Sequence, residues 1–204
     1  MNYRTKRHTS ESGELDLVKQ AQEGDEQAFA ALLKEHQSMV MNFAHNVCRD
    51  RTKAEETLQD TFINVYQKLS QFDGRSKFST WLYSIVTNNC LMKRRRRKLD
   101  TMMEEYDEVP DRNEGVSKQT SAWLADWEDT PSRKVLNKEL GEHLDKAILK
   151  LPLDYRLVFV LRDLEEKSNE ETAAILKISV EATKSRLRRA RAFLRKQLLP
   201  YVME

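Results

Sequence analysis

The interval from 101 to 133 divides the chain into two parts. It has no sustained apolar period, and it contains Pro110, Gly115 and Pro131 in a polar background. Residues 101–130 carry nine acidic and two basic side chains, a local net charge of −7. Such a composition buries too little apolar surface to fold alone, so it predicts a flexible acidic linker. The expected organisation is a disordered N-terminus at 1–12, a first domain at 13–100, the linker at 101–133 and a second domain at 134–204.

Apolar residues on both sides of this linker recur at steps of three and four, which is the spacing of amphipathic helices. In the first part, Asp25 suits an N-cap, and Leu32, His36, Val40 and Phe43 share one face of the helix that follows. The whole chain has only five Gly and four Pro. We therefore expect an all-α protein of two small helical domains, each burying its own core.

A second helix opens at Thr52 and Glu55, which have the spacing of a capping box. Its predicted buried stripe runs along the side that faces the core, and its members are Leu58, Phe62, Val65, Tyr66 and Leu69. The opposite side carries Glu56, Gln59 and Asp60, which we call the polar stripe.

The third helix, with Ser79 or Thr80 as its expected cap, runs into six consecutive cations, Lys93–Lys98, which we call the basic block. Phe72, Phe78, Trp81 and Tyr83 precede the block, as do Asn88 and Asn89. Aromatic, amide and cationic groups together can stack on, hydrogen-bond to and neutralise a nucleic-acid strand. The alternatives are that Trp81 belongs to the core and that the cations are a solvated helix end.

The second part predicts a helix-turn-helix. Ser168 and Glu171 have capping-box spacing before a short helix, and a turn at 178–180 leads to a basic helix. The predicted buried stripe of that helix consists of Thr183, Leu187, Ala190, Leu194 and Leu198. Lys184, Ser185, Arg188 and Arg189 then lie together on its outer face, where a recognition helix meets DNA bases. The alternative is a charged, solvated helix.

Other classes of protein have less support. Cys48 and Cys90 form no metal-binding or disulfide pattern, and the four His are scattered. No run of 18 apolar residues exists. We expect a cytoplasmic protein with no membrane insertion, no cofactor, no metal and no catalysis.

The order of these motifs resembles the extracytoplasmic-function sigma factors of bacterial RNA polymerase over residues 13–199. The matching stretches are "GDEQAFAALLKEH", "AEETLQDTFINVYQKL", "FDGRSKFSTWLYSIVTNN", the acidic linker and "LPLDYRLVFVLRDLEEKSNEETAAILKISVEATKSRLRRAR". The resemblance implies a sigma-2-like helical bundle at 13–100 and a sigma-4-like helix-turn-helix domain at 134–204. It implies three partners: core RNA polymerase (largest-subunit clamp helices and second-largest-subunit flap), promoter DNA, and an anti-sigma factor, which in this family is commonly membrane-anchored.

The resemblance also implies site residues. Polymerase binding falls on Glu56, Gln59 and Asp60. Recognition of the -10 element falls on Phe72, Arg75, Lys77, Phe78, Asn88, Lys93, Arg94 and Arg95, with Asn88 the first choice for capturing a flipped base. Recognition of the -35 element falls on Lys184, Ser185, Arg186, Arg188 and Arg189, with Arg186 nearer phosphate.

The sequence departs from the family pattern at three places. Arg75 and Lys77 add charge to the loop from Phe72 to Phe78, which the resemblance implies for base capture. The cations Arg94–Arg97 are more closely spaced than the family requires, and Trp123 and Trp127 lie in the linker. Two other classes of function stay open. One is a one-component helix-turn-helix regulator that acts without being a polymerase subunit, and the other is an enzyme acting on nucleic acid, although the carboxylates form no evident metal pair.

Overall fold

The computed structural model describes residues 11–100 and 131–202, with side chains at 13–94 and 141–201. Within these ranges there is no strand, which confirms the all-α prediction. The helices are α1 (Glu11–Gln22), α2 (Glu26–Cys48), α3 (Arg51–Lys68), α4 (Phe78–Asp100), α5 (Pro131–Lys150), α6 (Leu153–Phe159), α7 (Asn169–Leu176) and α8 (Val180–Val202). A 3₁₀ turn follows α3 at Leu69–Gln71, and a π-helical segment follows α6 at Val160–Leu164. Residues 101–130 of the expected linker, with Trp123 and Trp127, lie outside the described residues, whereas its last three positions, 131–133, already belong to α5.

These residues form two compact units. The first holds 11–100 together with 173–177, which are the second half of α7 and the residue after it, and the second holds 131–172 together with 178–202. In the first unit, α2 packs against α1, α3 and α4. In the second, α8 packs against α5 and α6. The fold therefore places the polar stripe and the basic block in one unit and the basic helix α8 in the other.

The start of α2 follows the predicted pattern. The Asp25 side chain accepts hydrogen bonds from the backbone N–H groups of Gln27 at 2.8 Å and Ala28 at 3.1 Å. Two of the four unpaired N–H groups at the helix start are thereby satisfied. His36 is buried on the apolar face as expected, where its Nε2 lies 2.8 Å from a carboxylate oxygen of Glu14 in α1.

Helix α3 differs from the prediction at its cap and along its buried face. Its N-cap is Asp50, which accepts from the Lys53 N–H at 3.0 Å, so the helix starts before Thr52. Tyr66 was expected in the core, but 72% of it is exposed. The buried face consists of Ala54, Thr57, Thr61 and Val65. Of the other members of the expected stripe, Val65 and Leu69 are buried, and Leu58 and Phe62 are half-buried.

Helix α4 begins at Phe78, one or two residues before the expected caps Ser79 and Thr80. The Trp81 N–H donates to the Lys77 carbonyl at 3.2 Å, which places both expected caps inside the first turn. The helix continues to Asp100, so the prediction that it runs into the basic block is confirmed.

In the second unit the buried stripe of α8 is as predicted. Thr183, Leu187, Ala190 and Leu194 are buried, and Leu198 is half-buried. Helix α8 extends to Val202, beyond the expected end at Leu199. The sequence analysis predicted neither α1 nor the π-helical segment.

Candidate functional site

The polar stripe lies on the outward side of α3. Glu56 and Gln59 are exposed, and Asp60 is half-buried. The same side continues with two exposed apolar residues, Ile63 at 57% and Tyr66 at 72% exposure. The sequence analysis did not assign these two to the surface, although their spacing of three from Asp60 and from one another is the signal that places them there. The complete surface therefore has an acidic part and an apolar part.

Lys93, the first residue of the basic block, contacts this stripe. Its Nζ lies 2.8 Å from a carboxylate oxygen of Asp60 and 3.8 Å from one of Glu56. Because α3 packs against α4, residues predicted for two different partners are brought together. The two acids compensate the charge of Lys93, so the stripe and the block are electrostatically one surface.

Ahead of α4, Phe72, Phe78 and Trp81 form an aromatic cluster with ring centroids 5.4 to 5.5 Å apart. Phe72 is 6% exposed and Phe78 is 1% exposed. Their rings are therefore packed inside the unit, in a geometry that aromatic pairs favour, whereas the sequence analysis expected them at a nucleic-acid surface. In this structure they present no open face for a base to stack on, and they support the loop between them.

The segment at the start of this loop is held from α1 as well. The Gln22 side-chain amide donates to the carbonyls of Leu69 and Phe72, each at 2.8 Å. The unpredicted helix α1 thus fixes one end of residues 73–77, which we call the capture loop.

Within the capture loop, Gly74 has a φ of +74°, a conformation that glycine adopts without steric cost. Asp73 accepts from the Arg75 backbone N–H at 3.1 Å and from its guanidinium at 2.5 Å. These hydrogen bonds lower the pKa of the Asp73 carboxyl and raise the pKa of the Arg75 guanidinium. Arg75 and Lys77 are both exposed. The loop therefore presents cationic side chains at the surface, and the buried aromatic cluster lies beneath them.

The two adjacent amides on α4 have different environments. Asn88 is exposed. Asn89 joins α4 to α3, because its Oδ1 accepts from Asn64 Nδ2 at 3.0 Å and its Nδ2 donates to Thr61 Oγ1 at 3.1 Å. Asn88 is therefore the amide that an external base could reach. Arg94 is half-buried, and the side chain of Arg95 lies outside the described ones.

Before α8, the short helix α7 opens with the predicted capping box. Ser168 N–H donates to the Glu171 carboxylate at 2.8 Å, and Glu171 N–H donates to the Ser168 hydroxyl at 3.0 Å. Lys177 ends α7 with a φ of +55°. Ser179 then caps α8, because its hydroxyl accepts from the Ala182 N–H at 3.0 Å. Local bonds thus define the helix-turn-helix segment.

The predicted outer face of α8 is on the surface. Lys184 and Arg188 are exposed, whereas Ser185, Arg186 and Arg189 are half-buried. The side chains that a recognition helix would turn toward base edges and phosphates are thus located along one helix, beside its buried stripe.

Within the described part of the chain, no group of three His, Cys, Asp or Glu side chains is arranged to hold a metal ion. None of the described helices is both long enough and apolar enough to cross a membrane.

Comparisons with known families give two matches, in the order expected. Residues 32–99 match the family model for sigma-70 region 2, and residues 142–194 match that for sigma-70 region 4. The first match covers the stripe, capture loop and basic block, and the second covers the helix-turn-helix segment.

Among curated proteins, the chain is 36% identical to the ECF RNA polymerase sigma factor SigW of Bacillus subtilis, over 89% of this chain and 94% of that protein. It is 31% identical to the RNA polymerase sigma-H factor of Pseudomonas aeruginosa, over 92% and 95%. Among solved structures, it is similar to CnrH in complex with the cytosolic domain of CnrY, at 26% identity and a TM-score of 0.59, over 91% of this chain and 96% of that one. The fold also matches RpoE of Bartonella quintana in complex with the anti-sigma factor NepR, at 23% identity and a TM-score of 0.59, over 83% and 96%.

Proposed function

The chain belongs to the extracytoplasmic-function (ECF) sigma factors of bacterial RNA polymerase, and we propose that its two units divide the work of that family between them. It is an alternative sigma factor, which binds core RNA polymerase, directs the enzyme to specific promoters and promotes strand opening. The observation that carries this conclusion is the occurrence of both sigma-70 regions, in order, in a chain aligned with SigW over 89% of its length.

The first unit binds core polymerase and the -10 element. Glu56, Gln59 and Asp60 contact the clamp helices of the largest subunit, with Ile63 and Tyr66 extending the same contact. This assignment is supported by an exposed surface that combines charge with apolar area, as protein interfaces do. We assign this surface to polymerase rather than to DNA because two of its residues are carboxylates, which phosphates repel.

The capture loop and α4 take the separated -10 strand. Asn88 captures the flipped base, and Arg75, Lys77 and the start of the basic block, Lys93–Arg95, hold the backbone. Phe72 and Phe78 belong to this site as the buried support of the loop. Support for the proposal comes from the exposure of Asn88 on the same helix that continues into the basic block.

The second unit takes the -35 element in the major groove. Lys184, Ser185, Arg188 and Arg189 face base edges, and Arg186 lies nearer phosphate. The same unit contacts the flap of the second-largest subunit. A guanidinium is suited to the two acceptors of guanine, which makes the arginines the best candidates for sequence discrimination.

Three further properties complete the proposal. The protein acts in the cytoplasm and has no catalysis of its own, and the acidic linker joins the domain at 13–100 to the second domain, whose first helix begins at Pro131. An anti-sigma factor restrains it, and the structural likeness to CnrH, which was solved in complex with the cytosolic domain of CnrY, supports a protein partner of this kind. A one-component regulator is not favoured, because the first unit matches sigma-70 region 2 and not a sensing domain.

Reconstitution tests the function directly. Core polymerase without any other sigma factor is mixed with the full chain, and transcription starts are mapped on genomic DNA. We expect a defined set of starts that share upstream and downstream elements. Initiation that is no different from core polymerase alone would contradict the assignment, and a homodimer that binds a palindrome without polymerase would favour the one-component regulator.

A further inference from the structure

A bidentate ion pair joins the π-helical segment to α8 within the second unit. Arg191 donates from Nε to Asp163 Oδ2 at 2.8 Å and from Nη2 to Asp163 Oδ1 at 2.5 Å. The two residues are 28 positions apart in sequence. Two parallel N–H···O bonds fix an angle as well as a distance, which one contact from a lysine does not. The pair therefore restricts how α8 is oriented on its support.

The segment that carries Asp163 has a defined shape. The Glu165 N–H donates to the Val160 carbonyl, five residues back, at 2.9 Å, which makes this turn wider than an α-helical one. Beyond it, Glu166 adopts a φ of +53°, and the Arg162 guanidinium donates to the Lys167 carbonyl. Only 20% of the Asp163 side chain is exposed. The carboxylate is thus a fixed point against which α8 is held.

Arg191 lies on the side of α8 that carries predicted base contacts. It follows Arg188 by three residues and Lys184 by seven, so the three side chains project from the same side of the helix. The buried stripe of α8 sets how closely the helix packs, but apolar contacts are not directional and resist a small rotation weakly. A bidentate bond to Arg191 is directional, and it acts on the side that must meet the DNA.

We propose that Asp163 is a positioning residue for reading the upstream promoter element. Through Arg191 it holds α8 at the rotation at which Lys184 and Arg188 meet base edges. This inference rests on the proposed assignment of α8 to the -35 element. Its effect lies on specificity more than on stability, because 51% of the Arg191 side chain is exposed and ion pairs of that exposure contribute little to folding.

The experiment uses holoenzyme made with the full chain and a promoter library in which the upstream element is randomised. Sequencing of bound and unbound DNA gives the affinity ratio between preferred and disfavoured elements. For Asp163→Asn we expect that ratio to fall by about fivefold or more, since one well-placed bidentate base contact discriminates by about that factor or more. A loss of folded protein alone would weaken binding to all elements equally, so it would not change the ratio.

Four further variants sharpen the test. Asp163→Glu keeps a carboxylate and should retain most of the discrimination, whereas Arg191→Gln should lose as much as Asp163→Asn. The double variant should equal either single one, because all three remove the same interaction. Glu142→Gln, which removes an exposed acid from the same unit, should change nothing.

The outcomes separate this inference from the function on which it rests. If unmutated holoenzyme selects no upstream sequence, the assignment of α8 to the -35 element fails. If it selects a sequence and Asp163→Asn selects that sequence with an unchanged ratio, the positioning role is refuted. Independent, additive losses in the double variant would also refute it.

Discussion

The neighbouring amides Asn88 and Asn89 allow base capture to be separated from folding by changing one residue at a time. Asn88 is exposed, whereas Asn89 makes two side-chain hydrogen bonds to α3. Replacing each by Ala removes the same chemical group from adjacent positions of one helix. We predict that Asn88→Ala impairs promoter opening at unchanged stability, and that Asn89→Ala lowers stability.

The structure sets the size of the stability effects. Asn89→Ala breaks two hydrogen bonds, but its partners retain others: Asn64 Nδ2 still donates to the Asp60 carbonyl at 2.8 Å, and the Thr61 hydroxyl still donates to the Thr57 carbonyl at 2.6 Å. At about 1 kcal/mol for each bond, we expect a loss of about 2 kcal/mol in the free energy of unfolding of the first unit. Such a loss lowers the Tm of a domain of this size by roughly 8 to 16 °C. Asn88→Ala, at an exposed position, should stay within about 0.5 kcal/mol of the unmutated chain.

The effect of Asn88→Ala on opening follows from its amide. Asn presents two N–H donors and a carbonyl acceptor to a base edge, and Ala presents none. Removing one paired amide interaction costs about 1 to 3 kcal/mol, so open-complex formation should fall by about tenfold, the factor that corresponds to 1.4 kcal/mol.

Permanganate reactivity of the melted region measures opening, and footprinting of the upstream element measures recognition by α8. We expect Asn88→Ala to lose permanganate reactivity in the melted region and to keep the footprint on the upstream element. Normal melting in this variant, with an unchanged preference at every downstream position, would show that Asn88 is an ordinary surface amide. If Asn89→Ala lost melting while its Tm stayed unchanged, base capture would belong to Asn89. That result would refute the assignment of capture to Asn88 from its exposure.

Four further changes test the other surfaces and the predicted linker. Asp60→Arg should weaken binding to core polymerase by several kcal/mol, because it places a cation in an interface built around an acid; calorimetry should show the weaker binding with helical content by circular dichroism unchanged, and an unchanged affinity would remove the stripe from the interface. Neutralising Arg94–Arg97 should lower the salt dependence of DNA binding on all promoters, by about 0.9 in log–log slope for each phosphate that the protein no longer neutralises. By contrast, Arg188→Ala should cost about 1 to 3 kcal/mol of binding free energy at particular upstream base pairs only. A uniform effect of Arg188→Ala on all sequences would mean that Arg188 contacts the DNA backbone. Deleting a few residues between Asp111 and Thr120 should be tolerated, because the 33 residues of the predicted linker could extend to roughly 110 Å; failed initiation with DNA binding preserved would give that segment a role in polymerase.

Several features governed by local sequence were predictable, although the expected caps of α3 and α4 were wrong. The Asp25 cap and the box of Ser168 and Glu171 each depend on residues two or three positions apart, so the pattern contains the whole interaction. The buried stripe of α8 follows in the same way from the helical period. In these three cases one element determines the feature, and sequence reasoning succeeded.

Features that depend on tertiary neighbours were not predictable in this way. Tyr66 is as apolar in pattern as Val65, and only the close packing of α3 decides which of them is buried. By sequence, Phe72 and Phe78 are compatible with either a stacking surface or a core. Their contacts with each other and with Trp81 place them in the core. The bond between Asp163 and Arg191 spans 28 residues and depends on a π-helical segment that no periodicity signals.

Lys93 changes how the first unit has to be understood. By pattern it is the first residue of a DNA-binding block, and Glu56 and Asp60 are polymerase contacts, yet the three side chains form one cluster of ion pairs. The acids lower the positive potential at the end of the block nearest α3, so the attraction for phosphate should increase along α4 away from the stripe. A substitution at Asp60 therefore acts on both surfaces, since Asp60→Arg removes a polymerase contact and also places a second cation beside Lys93. For this reason Asp60→Asn, alone and combined with Lys93→Gln, is the better comparison when DNA binding is measured. Asp60→Asn should raise the affinity for DNA, because it leaves the charge of Lys93 less compensated. If adding Lys93→Gln returns the affinity to that of the unmutated protein, then Asp60 acts on DNA only through Lys93.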